Sequence, residues 1–174
     1  MRAVFEHATT LRRPTPRSTA SLPNVRRIIL TTSVAAEPEV VFDLSTDVDL
    51  HQASMRRSGE RATAGRTSGH IMFGESVTWR ARHLGFRWTM TSRIDSFDRP
   101  VSFTDAQVRG PFGTYRHEHR FVAAGDGTVM TDVVEVAAPF GLLGRPFEGL
   151  VARYLERLLT ERNAAIVLAA TNPT

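Results

Sequence analysis

The sequence predicts an α+β domain in which a curved antiparallel sheet of about seven strands wraps around one long C-terminal helix. Three observations carry this. Alternating polar and apolar runs, separated by short turn signals, fill residues 75–138. A proline-led stretch after the first β-branched run suits two short helices. Towards the C-terminus, apolar residues recur at three- and four-residue spacings. A period of two marks strands and a period near 3.6 marks helices.

Residues 1–24 carry Arg, Pro, Thr and Ser without sustained periodicity and are expected to form a disordered tail. Such a segment cannot bury enough apolar surface to offset its ordering entropy. A plain tail, or a start codon read too far upstream, is preferred to an Arg- and Ser-rich transit peptide. Residues 25–36 (VRRIILTTSVAA) form a β-branched first strand. Glu37 and Pro38 then open a helix, because proline suits the first helical turn and acids favour the N-terminal dipole. Val40, Val41 and Leu44 are its expected buried stripe, with Phe42 near the edge. Asp47 is placed to cap a second short helix over 50–55. Residues 56–74 are the least regular part, with a short strand expected around 61–65.

The sheet is then plain. Val77, Trp79, Ala81 and His83 share one face, and Thr78, Arg80 and Arg82 the other. After a turn at Gly85, Phe86, Trp88, Met90 and Ile94 are expected to point inward, and Arg87, Thr89, Thr91 and Arg93 outward. One-sided alternation belongs to antiparallel sheets with one wet face. Turn signals at 83–85, 98–100, 110–113 and 125–127 imply consecutive hairpins. The final helix is expected over about 142–169. Its stripe is drawn from Leu143, Phe147, Leu150, Val151, Tyr154, Leu158, Ala165 and Ile166. Arg153, Glu156, Arg157, Glu161 and Arg162 lie mostly off it, and Pro146 suits its first turn. The folded domain is expected to span 25–170, with 171–174 a disordered end.

Composition excludes several chemistries. There is no cysteine, hence no disulfide, thiolate metal site or cysteine nucleophile. All 22 basic residues are arginine, so a lysine Schiff base is excluded as well. Neither a Gly-rich phosphate loop nor a serine elbow occurs. The isoelectric point of about 10.8 points towards nucleic acid, yet the charge is unevenly placed. Residues 1–24 hold four arginines and one acid, whereas residues 25–174 hold 18 arginines and 17 acids with signs interspersed. A near-neutral body lacks the basic stripe that phosphate backbones require, so nucleic acid is not an expected partner. No run approaches the ~18 apolar residues of a membrane span. The outward Arg80, Arg82, Arg87, Arg93, Arg116 and Arg120 leave weak peripheral contact with anionic membranes open.

The chemistry-bearing residues cluster on the inward faces. In TYRHEHRF, Tyr115, His117, His119 and Phe121 share one face, and Arg116, Glu118 and Arg120 the other. Asp105 and Gln107 share a face with Phe103, and Asp132 with Met130, Val134 and Val136. Buried charges are costly unless paired or hydrogen-bonded. Three readings stay open for this group with His83: a hydrogen-bond network that holds the sheet in register, a pocket that orients a ligand hydroxyl or carbonyl, or acid–base catalysis. For the last, the candidates are His117, His119, Asp132 and Asp105. A His-x-His pair is also a metal-site pattern, but no third histidine stands at a diagnostic spacing. No metal and no cofactor are expected.

The runs VTWRARHLG (77–85), FTDAQVRGPF (103–112), YRHEHRF (115–121) and TDVVEVAAPFG (131–141), with the closing helix, resemble the START-like superfamily of helix-grip proteins (SRPBCC), which includes the Bet v 1 allergens. Within it, the chain is similar to the bacterial polyketide cyclase/dehydrase and lipid-transport branch. That family commonly carries an aromatic where this chain has Val136, and a valine leaves the pocket roomier. The resemblance implies a hydrophobic cavity between helix and sheet. Residues expected to line it are Trp79, His83, Trp88, Met90, Phe103, Asp105, Gln107, Tyr115, His117, His119, Asp132, Val136, Phe147, Val151 and Tyr154. It implies a cytoplasmic bacterial protein, monomer or homodimer, that binds a small hydrophobic molecule such as a lipid, polyketide or aromatic metabolite. The alternative is a cyclase, aromatase or dehydrase that uses no bound redox cofactor. A third reading, an interaction module, requires a gap filled by aromatic side chains.

Overall fold

The structure, a computed structural model, describes residues 25–83, 85–137 and 148–172. Strand β1 (Arg26–Val34) leads into helix α1 (Pro38–Thr46), helix α2 (Val48–Ser54) and a 3₁₀ turn (Arg56–Ser58). Six strands follow: β2 (Arg61–Gly65), β3 (Ser76–His83), β4 (Phe86–Asp98), β5 (Ser102–Arg109), β6 (Thr114–Ala124) and β7 (Gly127–Ala137). Helix α3 (Glu148–Thr171) closes the chain. The strands form one antiparallel sheet in the order β1-β7-β6-β5-β4-β3-β2. Consecutive hairpins build it from β2 to β7, and β1 returns beside β7. No described helix is long and apolar enough to cross a membrane. The expected tail over 1–24, and Leu143, Pro146 and Phe147 of the expected helix start, lie outside the described residues.

Local chemistry sets the two short helices. Pro38 occupies the first turn of α1, where its missing N–H has no intrahelical role. The Asp47 carboxylate accepts from the backbone N–H of Asp49 at 2.8 Å and of Leu50 at 3.1 Å, a cap worth about 1 kcal/mol. The buried face of α1 is Val41, Phe42, Ser45 and Thr46. Val40 is exposed rather than buried, and Phe42 is its fully covered centre. One residue along a helix is a rotation of about 100°, so a face centred on Phe42 turns Val40 out.

The main core lies under one end of α3, where Phe42 meets Phe97, Phe103 and Phe121 edge-on, with ring centroids 5.1, 5.4 and 5.3 Å away. Val41, Met130, Ile94 and Ile166 complete it. A smaller cluster of Ile28, Val134, Val136 and Leu159 lies further along. Irregular pairing between β4 and β5 around Thr91–Ser92 and Ile94–Ser96 lets both Ile94 and Phe97 face inward, although an odd step of three positions would put them on opposite faces. Such bulges bend a strand and sharpen its twist, as a wrapping sheet requires. Phe86 shares the inward parity of β4 but is 69% exposed, at the start of the strand.

The outward arginines of β3, β4 and β6 are exposed. Arg116 pairs with Asp95 at 2.7 Å and Arg120 with Glu118 at 2.7 Å, so part of the positive face is neutralised within the sheet.

Gly65 ends β2 with φ of 74°, and a Cβ there would overlap the carbonyl oxygen of Ser76 on β3. Gly65→Ala is expected to destabilise by more than about 1 kcal/mol, because both the backbone region and the space are wrong for a side chain. Chemical denaturation, with a shifted midpoint and an unchanged slope, checks this.

Candidate functional site

Helix α3 does not close down on the sheet along its whole length. Between them lies a cavity of about 210 Å³. Its walls include Trp79, Ala81, His83, Trp88 and Met90 from β3 and β4, Phe103 and Asp105 from β5, and Tyr115, His117 and His119 from β6. Val134 adds to the floor, and Val151, Tyr154, Leu155, Leu158, Leu159 and Arg162 come from α3. The gap is therefore not filled by aromatics, as the interaction-module reading required.

Most of the side chains expected to line the cavity do so: Trp79, His83, Trp88, Met90, Phe103, Asp105, Tyr115, His117, His119, Val151 and Tyr154. Three do not. Gln107 turns onto the β5–β6 connection, where its amide donates to Phe112 O at 2.9 Å and accepts from Phe112 N at 3.3 Å. The turn's backbone groups need those partners. Val136 is packed in the Ile28–Leu159 cluster. Asp132 is wholly buried behind the histidines. Phe147 lies outside the described residues.

The inner polar group follows from strand register. Asp105 sits opposite His117 across β5 and β6, and His119 opposite Asp132 across β6 and β7. His117 Nε2 is hydrogen-bonded to Asp132 Oδ1 at 2.8 Å. His119 Nδ1 lies 2.9 Å from the same oxygen, yet not in line for a hydrogen bond, and among the described residues it has no other partner. The opposite ring nitrogens, His117 Nδ1 and His119 Nε2, face Asp105 Oδ2 at 3.7 and 3.4 Å. The two imidazoles are 3.7 Å apart between centroids, and Phe103 stacks on His119 at 4.1 Å.

Asp132 is anchored from α3. Asn163 Nδ2 donates to its Oδ2 at 2.7 Å, and Arg162 Nη1 approaches its Oδ1 at 3.3 Å. Arg162 also donates to the carbonyl of Ser45 on α1 at 3.3 Å. Burial pushes the Asp132 carboxyl up, but the hydrogen bond with His117, the adjacent His119 ring and the charge of Arg162 hold it well below the usual range. For Asp105, burial is likewise overcome by His119 and His117, and its pKa falls below the ordinary value. Burial, with His119 alongside, pulls His117 down to about 4. Burial and the Asp105 charge raise the Tyr115 hydroxyl well above its normal value. Two ionised carboxylates thus bracket a pair of closely apposed imidazoles, tilted by 38°.

A second polar group occupies another part of the wall. His51 Nε2 is 2.9 Å from Glu60 Oε1, His83 Nε2 is 3.8 Å from Glu60 Oε2, and His83 Nδ1 is 2.8 Å from the Tyr154 hydroxyl. Burial pushes Glu60 up, but its bond with His51 and the nearby His83 bring it below the ordinary value. Burial lowers His83. The His51 ring lies 4.4 Å from Trp79.

Sequence reasoning placed Arg162 off the apolar stripe, whereas it is only 5% exposed, as is its neighbour Asn163 at 2%. A stripe through Leu155, Leu159, Arg162 and Ile166 has steps of four, three and four, and that periodicity was the available signal. Glu60 lies inside the irregular 56–74 region, where no pattern assigns a face, and His51 on a helix too short to show one.

Solved structures share this architecture. A Streptomyces aromatase/cyclase, ZhuI, superposes with a TM-score of 0.69 at 16% identity, covering 85% of this chain and 94% of its own. A Thermus thermophilus protein gives 0.66 at 17%, covering 83% and 99%. A START superfamily protein from Mycobacterium smegmatis gives 0.63 at 15%, covering 80% and 96%. At these identities the likeness speaks for the fold alone. No curated protein matches the chain. The family model described as polyketide cyclase/dehydrase and lipid transport matches residues 26–170. With the helix-grip architecture and the cavity under α3, that match places the chain in the polyketide cyclase/dehydrase and lipid transport family.

Proposed function

We propose that this protein encloses a small hydrophobic ligand, a lipid, polyketide or aromatic metabolite, between α3 and the sheet. The observation that carries the reading is the open cavity of about 210 Å³, whose apolar walls end on buried imidazoles and carboxylates. A dry apolar cavity of roughly 150 Å³ already takes up benzene, so this one accommodates more than a single ring. Apolar walls supply the affinity, and the few polar groups fix orientation.

Both tryptophans of the chain, Trp79 and Trp88, line the cavity. Their fluorescence therefore reports occupancy directly. Titration with a naphthalene sulfonate probe should quench it, and native mass spectrometry of protein from its own host should reveal a co-purifying small molecule. Ala81→Phe, which fills the space, is expected to weaken probe binding at least tenfold while thermal stability holds or rises. Unchanged binding in that variant would place the ligand elsewhere.

The enzymatic alternative rests on the His117–Asp132 pair and on Asp105 at the cavity wall, an arrangement suited to removing a proton next to a carbonyl. His117→Ala separates the two readings. Ligand affinity should stay within about tenfold if the ring only positions the ligand, since a neutral hydrogen bond is worth ~0.5–1.5 kcal/mol. A turnover loss of ~10²-fold or more on a candidate polyketide marks acid–base work.

A further inference from the structure

The inner polar group is short of protons. A neutral imidazole carries one N–H and one lone pair, and an ionised carboxylate only accepts. His117 and His119 each stand between Asp132 and Asp105, which makes four nitrogen–oxygen approaches at 2.8, 2.9, 3.4 and 3.7 Å. Rings that carry one N–H each supply protons for two of them. His117 directs its Nε2 proton to Asp132 at 2.8 Å, whereas His119 is aligned with Asp105 through Nε2 at 3.4 Å and its Nδ1 has no aligned partner among the described residues. His117 Nδ1 is then left with a lone pair facing Asp105 Oδ2 at 3.7 Å, and His119 meets the same oxygen only through a long hydrogen bond. With Arg162 and Asn163 committed to Asp132, the partners of Asp105 among the described residues are those two imidazoles. Two imidazoles and a carboxylate thus converge on one part of the cavity wall.

We propose that Asp105, His117 and His119 bind a divalent transition-metal ion at the cavity wall. One ligand atom from each lies within 4.8 Å of the others. Metal–nitrogen and metal–oxygen bonds of ~2.0–2.2 Å put tetrahedral neighbours roughly 3.4 Å apart, and Asp105 stands 3.4 and 3.7 Å from the two ring nitrogens. A two-imidazole, one-carboxylate set suits Zn²⁺, Fe²⁺ or Co²⁺ and leaves coordination positions open. Here those positions open towards the cavity, so the ion would accept an oxygen of whatever ligand lies there. Asp132 holds the far nitrogen of His117 by a hydrogen bond and lies 2.9 Å from that of His119, the place that carboxylates take behind metal-binding histidines. The site stands independently of the hydrophobic-ligand reading, and neither depends on the other.

The test uses the metal-stripped full chain titrated with Co²⁺ alone, followed by visible d–d absorption and by isothermal titration. One ion per chain is expected. His119→Ala and Asp105→Ala should each weaken binding by at least ~100-fold, and Asp132→Asn by roughly 10–100-fold. His70→Ala, at an exposed histidine that is not part of the cavity wall, should bind as wild type. Because a substituted core group can fail to fold, the wild-type imidazole nitrogen resonances are a second readout. Adding Zn²⁺ should shift His117 and His119 and leave the other histidines in place. Equal Co²⁺ affinity in the Asp105 and His119 variants overturns the proposal. So do unmoved resonances, or an imidazolium signal at these rings with no metal uptake, in which case a proton alone fills the gap.

Discussion

Asp132→Ala is expected to cost about 3–5 kcal/mol of stability, the usual result of removing one partner from a buried ion pair. The carboxylate is 0% exposed, and four side chains converge on it: His117, His119, Arg162 and Asn163. Its loss strands the Arg162 guanidinium, 5% exposed, with only carbonyl-type acceptors, and a buried cation without its counter-charge is the costly outcome. At 2–4 °C per kcal/mol for a chain of this size, the melting temperature should drop by roughly 10 °C. The companion experiment isolates the charge. Asp132→Leu/Arg162→Met removes both members, and well-packed apolar replacements of buried pairs are often neutral or better. The double variant should therefore be more stable than Asp132→Leu alone, with a coupling of about 1–3 kcal/mol in the cycle. Asp132→Ala melting within about 1 kcal/mol of wild type would show that the α3–β7 anchor is absent in solution.

That anchor also marks where the sequence stopped being legible. Strand faces were readable because period two is local. The alternation in TYRHEHRF put His117 and His119 inside and Arg116 and Arg120 outside, and the structure agrees. The five-residue strand β2 also falls where it was expected, at Arg61–Gly65. The phase of α3 was not readable in the same way. Charge was taken to mean solvent, and Arg162 breaks that rule because its partner Asp132 lies 30 residues away on another element. Leu150, which the apolar spacing puts on the stripe, is 56% exposed, the same misphasing seen from the other side. Gln107 obeys the parity of β5, but its short reach to the following turn satisfies Phe112 first. Periodicity assigns a face and says nothing about which neighbour a polar group will find there.

Phe42→Ala and Trp88→Ala should differ sharply, and the difference reports whether the cavity exists in solution. Phe42 is 0% exposed and packed edge-on against three phenylalanines. Truncating it opens a void that the surrounding rings cannot close, at about 3–5 kcal/mol. Trp88 is as large a loss of surface, yet it stands on the cavity wall. Its ring stacks with Phe112 at 6.4 Å, and its Nε1 donates to His83 O at 3.0 Å. A side chain facing a gap has dispersion partners on one side only, so Trp88→Ala should cost no more than about 2 kcal/mol. Binding should move the other way. Trp88→Ala removes a ligand contact and should weaken probe affinity severalfold, whereas the folded fraction of Phe42→Ala should bind nearly as wild type. Urea denaturation with and without the probe measures both quantities on the same samples. Equal costs for the two substitutions would mean that α3 settles onto the sheet in solution and the wall becomes core. A cheap tryptophan beside an expensive phenylalanine would show an open chamber, whose missing packing a ligand is free to supply.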